Sequence, residues 1–166
     1  TENFTLLMRD LRKALGKKRL LTLATVSNAR YIDFKAIDKY VNFVNIMAYD
    51  MGGAPKHHTA LYASEITNFS AEQAVKAHLD AGVPANKLVL GMAFYGRGGG
   101  EYPNFQDYGK IPATSDKYVE RWDAKANAPY LVDKQGRLVF GFENPRSLAA
   151  KCRYVHEQGL RGAMYW

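Results

Sequence analysis

Apolar residues recur along this chain in two alternating patterns, one with helical spacing and the other in short unbroken runs. Helical spacing predicts four helices, which begin near Phe4, Tyr31, Ser70 and Asn144. Unbroken apolar runs, which are typical of buried strands, cover residues 20–26, 43–49, 87–95 and 162–166. Strands that alternate with amphipathic helices predict an α/β fold with a parallel sheet covered by helices.

The ends of these helices carry capping signals. Gly16 follows the first helix, Ser70 and Gln73 form a capping box, and Asn144 precedes a proline in the first turn of the last helix. The strands lack alternating polar residues, so we expect them to be buried on both faces. The predicted buried stripes of the first, third and last helices are Phe4, Leu7, Met8, Leu11 and Leu15; Ala74, Val75 and Leu79; and Leu148, Cys152 and Val155.

Between residues 98 and 142 the alternation stops, and glycines, prolines, aromatic residues and a predicted hairpin take its place. We expect three parts: residues 1–97 with three strands and their helices, an α+β insertion at 98–142, and the last helix and strand at 143–166. Either a doubly wound sheet or part of a (β/α)8 barrel fits this order. A complete barrel needs about 250 residues and eight strands, so four strands would form half of one.

Composition and charge argue against several other classes of protein. The 166 residues carry a net charge of +7, but six basic residues lie between Arg9 and Arg19, where they are typical of a solvated helix end rather than a nucleic-acid site. No apolar run approaches the roughly 18 residues of a membrane span. The single cysteine, Cys152, excludes an intrachain disulfide and is expected to be inert core. The adjacent His57 and His58 are expected to point apart, so we predict no metal site.

Candidate binding residues follow the predicted strands, because ligands meet the carboxyl ends of the strands in parallel α/β folds. Tyr49 and Asp50 end the second strand, Tyr95 and Arg97 end the third, and Trp166 ends the fourth. Phenol, carboxylate, guanidinium and indole groups on one rim suit a polyhydroxylated sugar ring. Structural interpretations also exist: Asp50 as a turn residue, Arg97 as the partner of a surface carboxylate and Trp166 as core.

Four segments resemble the second half of a glycoside hydrolase family 18 chitinase, in order and over nearly the whole chain. They read VNIMAYDMGG, HHTALY, KLVLGMAFYGR and FENPRSLAAKCRYVHEQGLRGAMYW. The resemblance implies that the four strands are strands five to eight of a (β/α)8 barrel, the carboxy-terminal half, with a small α+β insertion between the last two. It is weakest in residues 98–139.

The resemblance also implies roles for single residues. Tyr49 is expected to help hold the N-acetyl group of the substrate, and Asp50 to hydrogen-bond sugar. Tyr95 and Arg97 are expected to line the sugar subsites. Trp166 is expected to form the floor beneath the sugar that is cleaved.

One signature of the family is missing from these residues. The string Asp-x-x-Asp-x-Asp-x-Glu, which carries the general acid at the end of strand four, does not occur in the chain. Because the chain starts at Thr1, after the matching region, and stops inside an apolar run, we expect an excerpt of a longer protein whose missing amino-terminal half supplies the acid. Family 18 enzymes use the N-acetyl carbonyl of the substrate as nucleophile, so they need only one protein acid. The residues that are present would then bind and orient the substrate. Met47 is among them, although it is more typical of packing than of contact.

The predicted function is therefore retaining hydrolysis of β-1,4-linked N-acetylglucosamine polymers or oligomers by the complete barrel, with no cofactor. The predicted partners are chitin or its oligosaccharides, with no nucleic acid and no membrane span. A secreted, periplasmic or cell-surface location is a family expectation. Two related functions stay open: a lectin-like protein that binds chitin without cleaving it, and an endo-β-N-acetylglucosaminidase.

Overall fold

The computed structural model describes residues 1–99, 104–111 and 116–166. The α-helices are α1 (Glu2–Leu15), α2 (Phe34–Ile37), α3 (Ala71–Asp80) and α4 (Pro145–Glu157). The strands are β1 (Thr22–Val26), β2 (Phe43–Met47), β3 (Leu88–Met92), β4 (Tyr95–Gly98), β5 (Gln106–Asp107), β6 (Val119–Asp123), β7 (Ala128–Val132), β8 (Leu138–Gly141) and β9 (Gly162–Tyr165). Among the described helices, none combines the length and the apolar character needed to cross a membrane.

The predicted parallel sheet is present, and its strands run in the order β1-β2-β3-β9. One face packs against the helices in the main hydrophobic core, where strand residues such as Ile46 and Leu90 meet helix residues such as Ile37 and Val75. The centre of the sheet is tight at Gly91, since a Cβ atom there would lie 2.4 Å from the carbonyl oxygen of Ile46. The strand positions thus leave room only for glycine at this point.

The opposite face of the parallel sheet is largely uncovered by the described residues. Ala24 and Val26 of β1 are exposed on it, and Asn45, Met47 and Met164 are only partly buried. The expectation that the strands are buried on both faces is therefore confirmed for β3 and wrong for β1, β2 and β9. The reason is that apolar runs record how hydrophobic a strand is, whereas burial depends on what packs against each face.

The second sheet is antiparallel and has the order β5-β4-β8-β7-β6. It contains the predicted hairpin, β7 and β8, whose turn closes through bonds from the backbone N–H groups of Gln135 and Arg137 to the Asp133 carboxylate. The apolar run at 87–95 is not one strand. It divides into β3 in the parallel sheet and β4 in the antiparallel sheet, so the chain passes from one sheet to the other at Ala93 and Phe94.

The predicted caps of α3 and α4 are present, but Ser70 and Gln73 form only half of the predicted capping box, because the Gln73 side chain accepts the Ser70 hydroxyl rather than its backbone N–H. The Ser70 hydroxyl accepts the backbone N–H of Gln73, and Asn144 and Ser147 form a reciprocal capping box at the start of α4. The second helix is shorter than predicted, a single turn from Phe34 to Ile37.

The predicted buried stripes of the helices are partly wrong. Leu7 and Leu11 on α1 and Leu79 on α3 are exposed, and Cys152 on α4 is exposed rather than inert core. The stripe that α4 actually buries is Ser147, Ala150, Lys151 and Tyr154. Apolar spacing could not find this stripe because two of its members are polar and are buried through hydrogen bonds.

Candidate functional site

The strand-end residues lie at the carboxyl edge of the parallel sheet, where the antiparallel sheet begins. Tyr49 and Asp50 follow β2, and Tyr95 and Arg97 belong to β4. The backbone of Asp50 has φ +55°, a left-handed conformation that Asp tolerates better than most residues. This turn directs the chain away from the sheet immediately after Tyr49.

Three of the predicted residues form one hydrogen-bonded cluster around the Asp50 carboxylate. Its Oδ1 accepts the Tyr95 hydroxyl at 2.7 Å and Arg97 Nε at 2.7 Å, and its Oδ2 accepts Arg97 Nη2 at 2.8 Å. The arginine therefore donates hydrogen bonds to both carboxylate oxygens, which is the bidentate geometry that planar guanidinium groups favour. Arg97 is therefore the partner of a carboxylate, and that carboxylate belongs to Asp50, another of the predicted site residues.

The surroundings of Asp50 keep it ionised. The imidazole of His58, the guanidinium of Arg97 and the hydroxyl of Tyr95 together lower the pKa of the Asp50 carboxyl far below its ordinary value. Burial, and then the hydrogen bond to Asp50, raise the pKa of the Tyr95 hydroxyl, so this phenol stays protonated and donates. The Asp50 side chain is 43% exposed, so it is accessible to a ligand as well as to Arg97.

Tyr49 stands beside this cluster. Its ring meets the Tyr95 ring edge to face at a centroid distance of 6.1 Å. A Cβ atom on Gly91 would lie 2.9 Å from Tyr49 Cε1, so the glycine makes the space that this ring uses. Within the described residues nothing hydrogen-bonds the Tyr49 hydroxyl, so its donor and acceptor remain open to a ligand.

Trp166 and Met47 are not part of the hydrogen-bonded cluster. The Trp166 N–H donates to the Met92 carbonyl at 3.0 Å and its carbonyl accepts the Phe94 N–H at 2.7 Å, which extends the pairing of β3 with β9. Its side chain is 72% exposed, so it is not core among the described residues. Strand alternation puts Met47 and Trp166 on the sheet face that the helices leave uncovered.

Two residues that the sequence analysis did not assign to the site contact it. Phe105, just before β5, stacks on Tyr95 at a centroid distance of 4.8 Å and lies under the Arg97 guanidinium at 5.6 Å, although it is about half exposed. Nothing in the sequence singles it out from the other aromatic residues of the insertion. The second residue, His58, lies behind Asp50, and its only signals were its place in a His-His pair and in the segment HHTALY.

The two adjacent histidines point apart, as predicted. His57 Nε2 lies 3.1 Å from Asp123 Oδ2, so it joins its loop to the end of β6. His58 faces Asp50 instead, with its Nδ1 at 3.4 Å from the Asp50 backbone nitrogen. Across the described ranges, no three His, Cys, Asp or Glu side chains come close enough together to hold a metal ion.

The arrangement can bind a neutral polar ring and stabilise a neighbouring positive charge. Asp50 supplies a fixed negative charge, Tyr49 supplies an open hydroxyl, and Phe105 supplies an exposed aromatic face. Asp50 is ionised and holds no proton to donate at neutral pH, and the raised pKa of the Tyr95 hydroxyl makes it a weak proton donor.

A parallel sheet joined to an antiparallel sheet, with a polar cluster at the carboxyl edge of the parallel strands, defines an α/β protein. The family model described as Glycosyl hydrolases family 18 matches residues 1–166. The chain belongs to this family.

Individual relatives agree with this assignment. Chitinase A1 of Niallia circulans is 30% identical over 99% of this chain, and Chitotriosidase-1 of Mus musculus is 32% identical over 99% of it. A solved chitinase from Bacillus thuringiensis superposes with a TM-score of 0.89 at 30% identity over all of this chain and 35% of its own. A family 18 N-acetylglucosaminidase from Paenibacillus barengoltzii gives 0.86 at 32% identity, over all of this chain and 58% of its own.

The chain spans less than half the length of these curated relatives: 30% of the Niallia chitinase and 44% of the mouse protein.

Proposed function

We propose that this chain is the carboxy-terminal half, strands five to eight, of a (β/α)8 barrel that hydrolyses chitin. In this proposal β1, β2, β3 and β9 are four neighbouring barrel strands, and the antiparallel sheet is the insertion before the last strand. The uncovered face of the parallel sheet supports it, because the inner face of a barrel would be covered by the remaining strands. The chitinases among the relatives support the substrate.

The observation that carries the proposal is the Asp50 carboxylate held by Tyr95 and Arg97 beside the open Tyr49 hydroxyl. Family 18 hydrolysis begins when the N-acetyl carbonyl of the substrate attacks its own anomeric carbon, which creates a positively charged oxazolinium ring. An ionised carboxylate next to this ring stabilises the charge, and a tyrosine hydroxyl orients the acetamido group. The proposed roles of Asp50 and Tyr49 follow from this chemistry.

The remaining proposed substrate contacts are Arg97, Tyr95, Trp166 and Met47. Trp166 presents a large exposed aromatic surface on the uncovered face, as a sugar floor requires. The general acid that protonates the leaving oxygen belongs, in this proposal, to a part of the protein outside these 166 residues.

A secreted or surface location accompanies the proposal, because chitin is a polymer too large to enter a cell.

The test is the Asp50→Ala variant of the full-length protein, assayed on N-acetylglucosamine oligosaccharides. We expect kcat/KM to fall by about 10² to 10³, the usual loss when one electrostatic stabiliser of a transition state is removed. Asp80→Ala is the matched control, because Asp80 lies on the surface of α3, where it pairs with Lys76. It should leave kcat/KM unchanged within about twofold.

Product analysis separates the proposed chitinase from its alternatives. Release of oligomers from chitin supports the proposal. Release of single N-acetylglucosamine units only would favour the type of activity named for the Paenibacillus barengoltzii relative. Tight binding of oligosaccharides without cleavage by the wild-type protein would replace the hydrolase with a lectin, and equal kinetics of Asp50→Ala and wild type would refute the assigned site.

A further inference from the structure

The ring of His58 is buried directly behind Asp50. Its Nδ1 accepts the Asp50 backbone N–H at 3.4 Å and lies 3.7 Å from Asp50 Oδ1. The same ring packs against Tyr95 at a centroid distance of 5.3 Å, so it contacts two members of the cluster from the protein side. Burial lowers the pKa of His58, which keeps the ring neutral.

A buried ion pair fixes the residue next to His58. Lys151 and Glu143 are both almost fully buried and form a short contact with each other. Lys151 Nζ also donates to the Thr59 hydroxyl at 2.8 Å and to the Thr59 carbonyl oxygen. Thr59 in turn donates to the Ala48 carbonyl at 3.1 Å, two residues before Asp50. The ion pair between Glu143 and Lys151 of α4 therefore holds both the loop that carries His58 and the end of β2.

This network explains how Asp50 keeps an unusual backbone conformation. Its φ of +55° is sparsely populated for a residue with a side chain, and such a conformation persists only where neighbouring contacts enforce it. Arg97 and Tyr95 hold the carboxylate from the open side. His58 is the group that holds the backbone N–H, and it does so from the buried side.

We propose that His58 is a positioning residue for Asp50, whose backbone N–H it fixes through ring atom Nδ1 and whose carboxylate is thereby kept within reach of Arg97 and Tyr95, while the Glu143–Lys151 pair fixes His58 through Thr59. The effect on turnover rests on the proposed function, whereas the effect on Asp50 itself does not. The other ring atom, Nε2, is buried with no partner among the described residues. Because Nδ1 is the ring nitrogen that has a hydrogen-bond partner among the described residues, we assign the positioning of Asp50 to Nδ1.

Two substitutions distinguish the nitrogens. In His58→Asn the amide places a polar atom where Nδ1 was, and in His58→Gln it reaches the position of Nε2 instead. In the full-length protein, we expect H58N to retain kcat within about threefold and H58Q to lose about 10- to 100-fold in kcat, because displacing a catalytic group by about 1 Å has effects of this size. KM should change much less than kcat in both variants.

A second measurement does not depend on activity. Titration of the Asp50 carboxyl by ¹³C NMR should move upward in pH in H58Q and stay at the wild-type value in H58N. The control is His57→Asn, which breaks the bond to Asp123 but does not touch Asp50. It should lower the thermal midpoint and leave both kcat and the Asp50 titration unchanged.

The proposal would be overturned if the Asp50 carboxyl titrated at the same pH in wild type, H58N and H58Q. It would also be overturned if H58N and H58Q lost kcat to the same extent. If H58Q does not fold, H58N decides, since a folded H58N with a shifted Asp50 titration also overturns it. If the wild-type protein does not cleave chitin, the proposed function fails, and the titration alone still decides the role of His58.

Discussion

The guanidinium of Arg97 donates to both oxygens of the Asp50 carboxylate, and only the planar guanidinium group of arginine has this geometry. Arg97 donates through Nε to one oxygen and through Nη2 to the other, and its Nη1 reaches the Asn104 carbonyl at 3.2 Å. A lysine would carry the same charge but could not offer this planar fork.

We therefore expect Arg97→Lys to lower kcat/KM of the full-length protein by about tenfold, since losing one charge-assisted hydrogen bond costs about 1.5 kcal/mol or more. The control is Arg137→Lys, where the arginine pairs with Asp133 on an exposed hairpin turn. Steady-state kinetics should separate the two substitutions. Equal kcat/KM for wild type and Arg97→Lys would contradict the bidentate role.

Among single residues, those at strand ends could be predicted, and those defined by distant partners could not. Tyr49, Asp50, Tyr95 and Arg97 could be found because the chain itself marks where each apolar run stops. Lys151 could not, because its burial depends on Thr59, which is 92 positions away in the sequence. Cys152, its neighbour, is exposed for the same reason: burying Lys151 rotates Cys152 outward.

Secondary-structure elements are joined to one another through buried polar side chains as well as apolar ones. His78 of α3 is fully buried, with Nε2 at 2.8 Å from the Thr25 hydroxyl of β1 and Nδ1 at 2.7 Å from the Ala74 carbonyl. Nδ1 must donate, because a carbonyl oxygen only accepts, and in the neutral ring Nε2 then accepts the Thr25 hydroxyl. Burial accordingly lowers the pKa of His78.

The stability of the protein should consequently fall as the pH is lowered from about 7 to about 5. A histidine with a depressed folded-state pKa binds a proton more readily when unfolded, so its contribution is complete above the unfolded pKa of about 6.5 and is lost below it. His57 and His58, whose pKa values are also lowered by burial, act in the same direction.

His78→Leu checks this at a single position. Urea unfolding at several pH values should give a shallower pH dependence for the variant, by up to about 1.4 kcal/mol per pH unit, the equivalent of one proton. An unchanged slope would mean that His78 is not held neutral. Leu should also lower stability at neutral pH, because the Thr25 hydroxyl loses its partner.

At the scale of the whole molecule, the most prominent feature is an incompletely covered parallel sheet. Its outer strands, β1 and β9, each pair with one neighbour only among the described residues. The face opposite the helices exposes Ala24 and Val26, and Trp166 is exposed at the end of β9. Unpaired edges and an apolar face are the features that promote association between copies.

Residues 1–166 expressed by themselves should therefore self-associate. In sedimentation velocity at micromolar concentration we expect species well above the 18.6 kDa of one chain. Val26→Lys, which puts a charge on the edge strand, should shift the distribution toward the monomer. A stable monomer of the unchanged sequence would contradict the view that this sheet requires further strands.

The sequence alone determined the alternation of helices and strands, the parallel sheet, the helix caps and the residues at the strand ends. These follow from local periodicity and turn chemistry, which neighbouring residues specify. Only the tertiary structure decided which sheet face is covered, where β3 gives way to β4, and that Phe105 and His58 contact the Asp50 cluster. Those features depend on contacts between residues far apart in the chain, and the energy of a buried charge or ring is set by such partners rather than by its neighbours in sequence.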